Sequence, residues 1–316
     1  MTKKILILCA GIIFLLIIPH LTISGSVHQS DFLVLKGPYL GQKPPGLEPE
    51  LFAPGIISTS GVEFCITFSR DGRECYFQRG REIFVAMERN GLWTPPEIAP
   101  FSGKYPDGDP FLSPDDQKLF FTSERPVNNK KSKKSDTDIW YVKRDGQKWS
   151  EPYHLGNQIN TDLNERTPTV ASDGTLYFHV FDGENPCDLY YSNFDNEKYS
   201  SPRPVAGLNT DTESEADAYI SPHKDYILFL QNGISISFAD KNGDWKTPVC
   251  FNNLLGSKFE NTWPRVSPDG KYLFFSSFRP DPNNPKHRSP SIYWVDAKII
   301  ENLKVEGMKH KKRTSS

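Results

Sequence analysis

The chain has 316 residues, 37% hydrophobic and 13% aromatic, which supports one large buried core or two small ones and excludes a disordered chain. Its 37 basic and 39 acidic residues leave a formal charge of −2, so no global field argues for nucleic acid or an anionic membrane surface as partner. Binding must be local.

Met-Thr-Lys-Lys opens the chain, and Ile5 to Ile18 forms an apolar run ended by Pro19. Ser24-Gly25-Ser26 supplies small residues for cleavage after Ser26, so residues 1–26 are expected to be an export signal and the mature protein extracytoplasmic, periplasmic or secreted. The run falls short of the roughly 20 residues of a spanning helix, which disfavours an uncleaved anchor and stable membrane insertion after cleavage. Residues 27–46 follow as a linker. Leu47 to Phe52 then shows the Pro-x-x-apolar spacing found again at Pro152 to Leu155 and Pro202 to Val205.

From here one pattern recurs. Phe68 to Phe77, Leu112 to Phe121, Val170 to Phe178, Ile220 to Phe229 and Val266 to Phe275 each place a turn, in its fullest form Ser-Pro-Asp-Gly, between two apolar strands. The turn-starting residues Ser69, Ser113, Ala171, Ser221 and Ser267 are separated by 44, 58, 50 and 46 residues, the period of a propeller blade. A third apolar strand follows each hairpin, as in Asp138-Ile139-Trp140-Tyr141 and Asp188-Leu189-Tyr190-Tyr191. An aromatic residue three before a proline (Trp93, Trp149, Tyr199, Trp245) is expected to begin a fourth, outermost strand, because proline belongs at a sheet edge. The fifth copy runs instead into a short helix over 297–303, leaving one strand missing that residues 47–57 can supply. The predicted fold is all-β: a single propeller over 47–303 with four-stranded antiparallel blades, five by count with six kept open, closed by the N-terminal strand and followed by a basic tail, 304–316.

These hairpins, the Asp-Ile-Trp-Tyr strand starts and the linker Leu155 to Glu165 resemble the WD40-like PD40 (TolB-like) repeats of bacterial exported proteins. The resemblance implies a propeller and leaves function open, since members include interaction scaffolds and propellers fused to peptidoglycan-binding or peptidase domains. By analogy with WD40 repeats, the strand before each turn is innermost and its entry loop lies on the binding face.

Six residues before each turn stand Glu63, Asp107, Glu165, Glu215 and Asn261, a polar ring expected at the channel mouth. Twelve after stand Arg81, Arg125 and Arg279 on the same face. These eight residues are the ligand-binding candidates; the competing use of the arginines is to pair with acids of neighbouring blades and hold register. Asp71, Asp115, Asp173 and Asp269 belong to the turns on the opposite face and are expected to be structural. Two insertions on the mouth face, 127–135 and 281–288, are candidate binding loops, and Tyr105, Phe259 and Trp263 are candidate stacking or packing aromatics. The four cysteines beyond the leader, Cys65, Cys75, Cys187 and Cys250, are expected to be free and buried. With no Cys-x-x-Cys and seven scattered histidines, neither a metal nor a cofactor is expected.

The function expected is a non-catalytic, monomeric scaffold that binds a protein or an envelope glycan through the mouth face, and not nucleic acid. The alternative is a glycosidase with Glu165 and Glu215 as acid and base, for which a carboxyl separation of about 6.5–9.5 Å would suit inversion.

Overall fold

A computed structural model describes residues 35–127, 136–256, 258–280 and 289–304; the expected signal and all but the first residue of the basic tail lie outside them. The apolar alternation of each repeat becomes an antiparallel meander, and five such sheets form a ring. Blade 1 runs Glu63–Phe68, Glu74–Arg79, Glu82–Arg89 and Glu97–Ile98 from axis to rim, and blade 2 runs Asp107–Leu112, Lys118–Ser123, Asp138–Asp145 and Tyr153–His154. Blade 3 comprises Asn164–Val170, Leu176–Phe181, Asp188–Ser192 and Arg203–Pro204; blade 4 comprises Ala216–Ile220, Tyr226–Leu230, Ile234–Phe238 and Val249–Cys250. Blade 5 has Asn261–Val266, Tyr272–Ser277 and Ser291–Asp296, and takes its outer strand, Glu50–Leu51, from the start of the chain.

The turns are built as their residues demand. Ser69, Ser113 and Ser267 donate their hydroxyls to Asp71, Asp115 and Asp269 at 2.7, 2.5 and 2.7 Å, and accept the N–H five residues on at 3.0, 2.9 and 3.0 Å. The fourth turn position is left-handed throughout: Gly72, Gly174 and Gly270 fill it in three blades, and Asp116 and Lys224 accept the same φ of about 60° in the other two.

The outer strands begin later than expected. Trp93, Trp149 and Tyr199 sit in short ribbons at the far end of the third strand, and the blade edge resumes just after Pro96, Pro152 and Pro202. A proline has no N–H to give the ladder, so it marks the crossing between ribbon and edge rather than the edge itself. The four cysteines among the described residues are free; Cys65 and Cys75 are buried, whereas Cys187 is half-buried and Cys250 exposed because it lies in the outermost strand of blade 4.

Closure joins the two ends of the propeller. Glu50 and Leu51 pair with Trp294 and Tyr293, and the Phe52 N–H donates to the Ile292 carbonyl at 2.9 Å. Residues 35–46 strap across the same seam: the Tyr39 N–H reaches the Gly72 carbonyl at 2.8 Å, the Asp296 N–H reaches Gly46 at 2.9 Å, and Trp93 donates its indole N–H to Gly37 at 2.8 Å. Phe52 is fully buried with edge-on contacts to Phe68, Phe274 and Trp294 at 5.0–5.8 Å, so blades 1 and 5 share one aromatic cluster. The short helix over 298–304 buries Ile299 and Ile300 in the core beside blade 5.

Removing the Phe52 ring would leave a cavity at this seam. Phe52→Ala is expected to lower unfolding stability by about 3–5 kcal/mol, read by urea denaturation.

Candidate functional site

Glu63, Asp107 and Asn261 open their inner strands, Glu165 is the second residue of its strand and Glu215 directly precedes its own, and none exposes more than 3% of its surface. A buried carboxylate needs donors, and the entry loop folds back to supply them. Thr161 gives its N–H and hydroxyl to the two oxygens of Glu165 at 3.1 and 2.6 Å, and Thr210 does the same for Glu215 at 3.1 and 3.0 Å. Thr59 bonds Glu63 at 2.5 Å, and Ser102 bonds Asp107 at 2.8 Å. Asn261 receives the Ser277 hydroxyl at 2.7 Å and donates to Asn252 at 2.9 Å. Burial still raises the carboxyls of Glu165 and Glu215 above their ordinary range.

The same loops clasp the preceding blade. The N–H groups of Glu63, Asp107, Glu165 and Glu215 donate to Pro290, Arg81, Thr137 and Cys187, just ahead of the neighbouring third strand, at 2.8–3.0 Å. Side chains of Ser58, Ser102, Asn160 and Asn209 satisfy backbone groups of Ile292, Ile83, Ile139 and Leu189, one residue into that strand. The polar ring is a blade-to-blade latch.

The arginines divide by role. Arg125 pairs with Asp107 of its own blade at 2.7 Å, and Glu63 is paired at 3.2 Å by Arg79 rather than Arg81. Arg81 is exposed and reaches Glu124 of the next blade at 2.6 Å. Arg279 meets no acid among the described residues; it bonds the Ser277 hydroxyl and the Leu255 carbonyl and lies 4.4 Å from the Tyr293 ring centre. The expected pairing across blades to ring acids does not form: Arg125 turns back to the ring acid of its own blade, Arg279 bonds a hydroxyl and a carbonyl, and Arg81 does cross to the next blade but meets Glu124, which is not a ring residue.

The channel is lined instead two residues further along. Cys65, Asp109, Thr167, Asp217 and Trp263 are all left-handed, φ 45–53°, at a bulge where each inner strand slips register against the second. No turn residue marks these positions in the sequence; the signal that could have found them is their constant offset of two from the polar ring. Trp263 donates its indole N–H to Asp109 at 3.0 Å, and the Thr122 hydroxyl donates to the other oxygen at 3.1 Å. The Thr167 hydroxyl bonds His179 Nδ1 at 2.8 Å, and the Asp217 N–H donates to the same nitrogen at 3.3 Å. Burial holds His179 down to about 4 and pushes Asp217 up to about 7, with the nearby Asp109 charge adding to the second shift and Arg265 opposing it. Burial also lifts the Cys65 thiol to about 12, so it is protonated and unreactive at neutral pH.

Above this layer a recess of about 280 Å³ opens on the mouth, lined by Phe64, Gln78, Asp109, Glu124, Arg166 and Trp263 among others. Phe64 and Trp263 are half-buried, with ring centres 4.5 Å apart. Tyr105 lies against Lys104 and Arg125, and Phe259 against Arg279. Of the two insertions, 128–135 and 281–288 lie outside the described residues. Among the described residues no cluster of three or more His, Cys, Asp or Glu has metal-binding geometry, and no helix is long and apolar enough to cross a membrane.

No protein-family model matches the chain, and no curated protein does. Solved structures resemble it at low identity. A TolB-like protein from Agrobacterium tumefaciens is 15% identical with a TM-score of 0.47, covering 70% of this chain and 71% of that one. A protein of unknown function from Dyadobacter fermentans is 13% identical at 0.47, covering 79% and 97%. A puromycin-hydrolysing peptidase from Mycobacterium tuberculosis is 11% identical at 0.43, covering 76% and 47%. The five-bladed ring itself rests on the strand pairing of this chain.

Two outcomes are expected from this geometry. Thr161→Val or Thr210→Val leaves a buried carboxylate one donor short and should cost about 1–3 kcal/mol in denaturant unfolding. Asp217, raised in the fold, contributes stability that is complete below its unfolded pKa and lost as pH rises towards 7; His179, lowered, contributes stability that is lost as pH falls from its ordinary value towards 4. Asp217→Asn removes only the first slope. The unfolding free-energy advantage of the variant over the native chain, read by urea denaturation, should therefore grow between about pH 4 and 7 and level off above, reaching on the order of 4 kcal/mol.

Proposed function

We propose that the protein is an exported, non-catalytic binding scaffold whose mouth face takes a protein or an envelope glycan. The observation that carries this reading is the mouth recess: an aromatic pair, Phe64 and Trp263, framed by charged side chains from several blades, Arg81, Glu124 and Arg166. Aromatic faces beside formal charges provide both stacking area and orientation for a ligand. Arg166 is exposed and forms no ion pair among the described residues, so its charge is open to a partner. The apolar leader-like run with its small-residue end supports the export half of the proposal.

Nothing in the geometry favours hydrolysis by Glu165 and Glu215. Both are fully buried and each is held by its own threonine, so neither presents an oxygen to a sugar or a water.

Envelope proteins and a glycan array presented to the mature chain provide the test. Capture should be lost in Arg81→Glu/Arg166→Glu and retained in Lys224→Glu on the turn face. Capture indifferent to the mouth variant, or glycan hydrolysis that disappears with Glu165→Gln at unchanged Tm, would overturn the reading.

A further inference from the structure

The opposite end of the channel holds a second recess, about 450 Å³ in volume and lined by residues of all five blades. Its inner walls are apolar, with Ile66, Phe111, Val170, Tyr219 and Val266 from the inner strands, while Arg70, Asp116, Ser172 and His223 stand on the turns at its rim. Beyond the charged rim, one charged side chain stands at the inner end of the recess. Arg265 is 2% exposed and touches the sealed layer above through Cys65 Sγ, 3.4 Å from Nη2.

The bonding of that guanidinium is incomplete. Nη1 donates to the carbonyls of Ala218 and Pro264, both at 2.9 Å. Nη2 has only the thiol sulfur, a weak acceptor, and Nε has no partner. The edge formed by Nε and Nη2 is the fork that fits the two oxygens of a carboxylate. No carboxylate oxygen of the described residues bonds Arg265, and an unsatisfied buried donor on a cation is costly unless something completes it.

From the apolar walls and the unfilled guanidinium edge we infer that the turn-face recess binds a small aliphatic carboxylate, its carboxyl group on Arg265 and its hydrocarbon body against the channel walls. The volume falls in the range of small-molecule sites, and one buried charge behind apolar inner walls fixes orientation. This site lies at the other end of the channel from the mouth and is independent of the partner proposed there. Asp217 is the through-space counter-charge of Arg265, and burial already weakens its ionisation near neutrality. An anion placed on Arg265 would raise Asp217 further, so binding takes up a proton.

Calorimetric titration of the full chain at pH 7 with hexanoate, 1-hexanol and hexylamine separates the contributions of charge and hydrocarbon. Hexanoate should bind at least tenfold more tightly than hexanol, hexylammonium should not bind, and the hexanoate enthalpy should vary between phosphate and Tris as proton uptake requires. Asp217→Asn should abolish that buffer dependence while retaining binding. Arg265→Met should lower hexanoate affinity at least tenfold with hexanol unchanged. Should that buried change prevent folding, Ser172→Trp on the exposed rim blocks the entrance and should abolish both ligands. Equal affinity for hexanoate and hexanol, no saturation by hexanoate at millimolar concentration, or binding untouched by Ser172→Trp would each overturn the assignment.

Discussion

The whole ring depends on how one blade holds the next. A four-stranded sheet presents unpaired backbone at its ends, and a meander has no covalent reason to sit beside its neighbour. Here the junction is made by polar groups. The first peptide N–H of an inner strand reaches back to the preceding third strand, a serine or asparagine satisfies that strand's next backbone groups, and a threonine or serine ties the buried acid to its own loop. Each bond is modest in water, but the groups concerned are buried, so leaving any of them unmade is expensive. The latch thereby fixes blade spacing while the aromatic wedges supply the hydrophobic stabilisation.

Closure of the ring and construction of the channel follow from that spacing. Five blades leave an axis narrow enough for side chains to fill, and the bulge at Cys65, Asp109, Thr167, Asp217 and Trp263 brings each inner strand into it. Left-handed backbone at a non-glycine residue is costly, and its repetition in all five blades means that the ring packing over-determines it. The result is a polar plug between two recesses: burial lowers His179 and raises Asp217 inside it, and Arg265 bonds backbone carbonyls. The mouth recess is aromatic and charged, the turn-face recess apolar along its inner walls with a cation at its inner end, so the two ends of one channel differ in chemistry.

Much of this was legible in the sequence because it is local. Ser267-Pro268-Asp269-Gly270 can only be a tight turn, and its recurrence sets the blade count, since turn chemistry acts within a few residues. The Pro49 to Phe52 spacing foretold the closing strand by its likeness to other outer strands, and Phe52 fills the seam as an apolar residue there must. The polar ring recurs at one repeat position, but that sequence pattern does not distinguish a carboxylate facing the mouth from one folded under its own loop. That distinction rests on Thr161 and Thr210, whose hydroxyls point inward only once the neighbouring blade is in place. The partners of the arginines were likewise undetermined: Arg79, Arg81 and Arg125 lie close in repeat position, yet each meets a different acid.

By itself the sequence determined the all-β class, the five repeats, the turns and the closing strand, because hydrogen-bonded turns and apolar alternation are properties of short segments. Only the tertiary structure decided which polar residues are architecture and which line a cavity. Asp109, Asp217 and Arg265 come from three repeats and acquire their character from mutual proximity and the loss of water, and neither quantity is written in the spacing of residues along one strand.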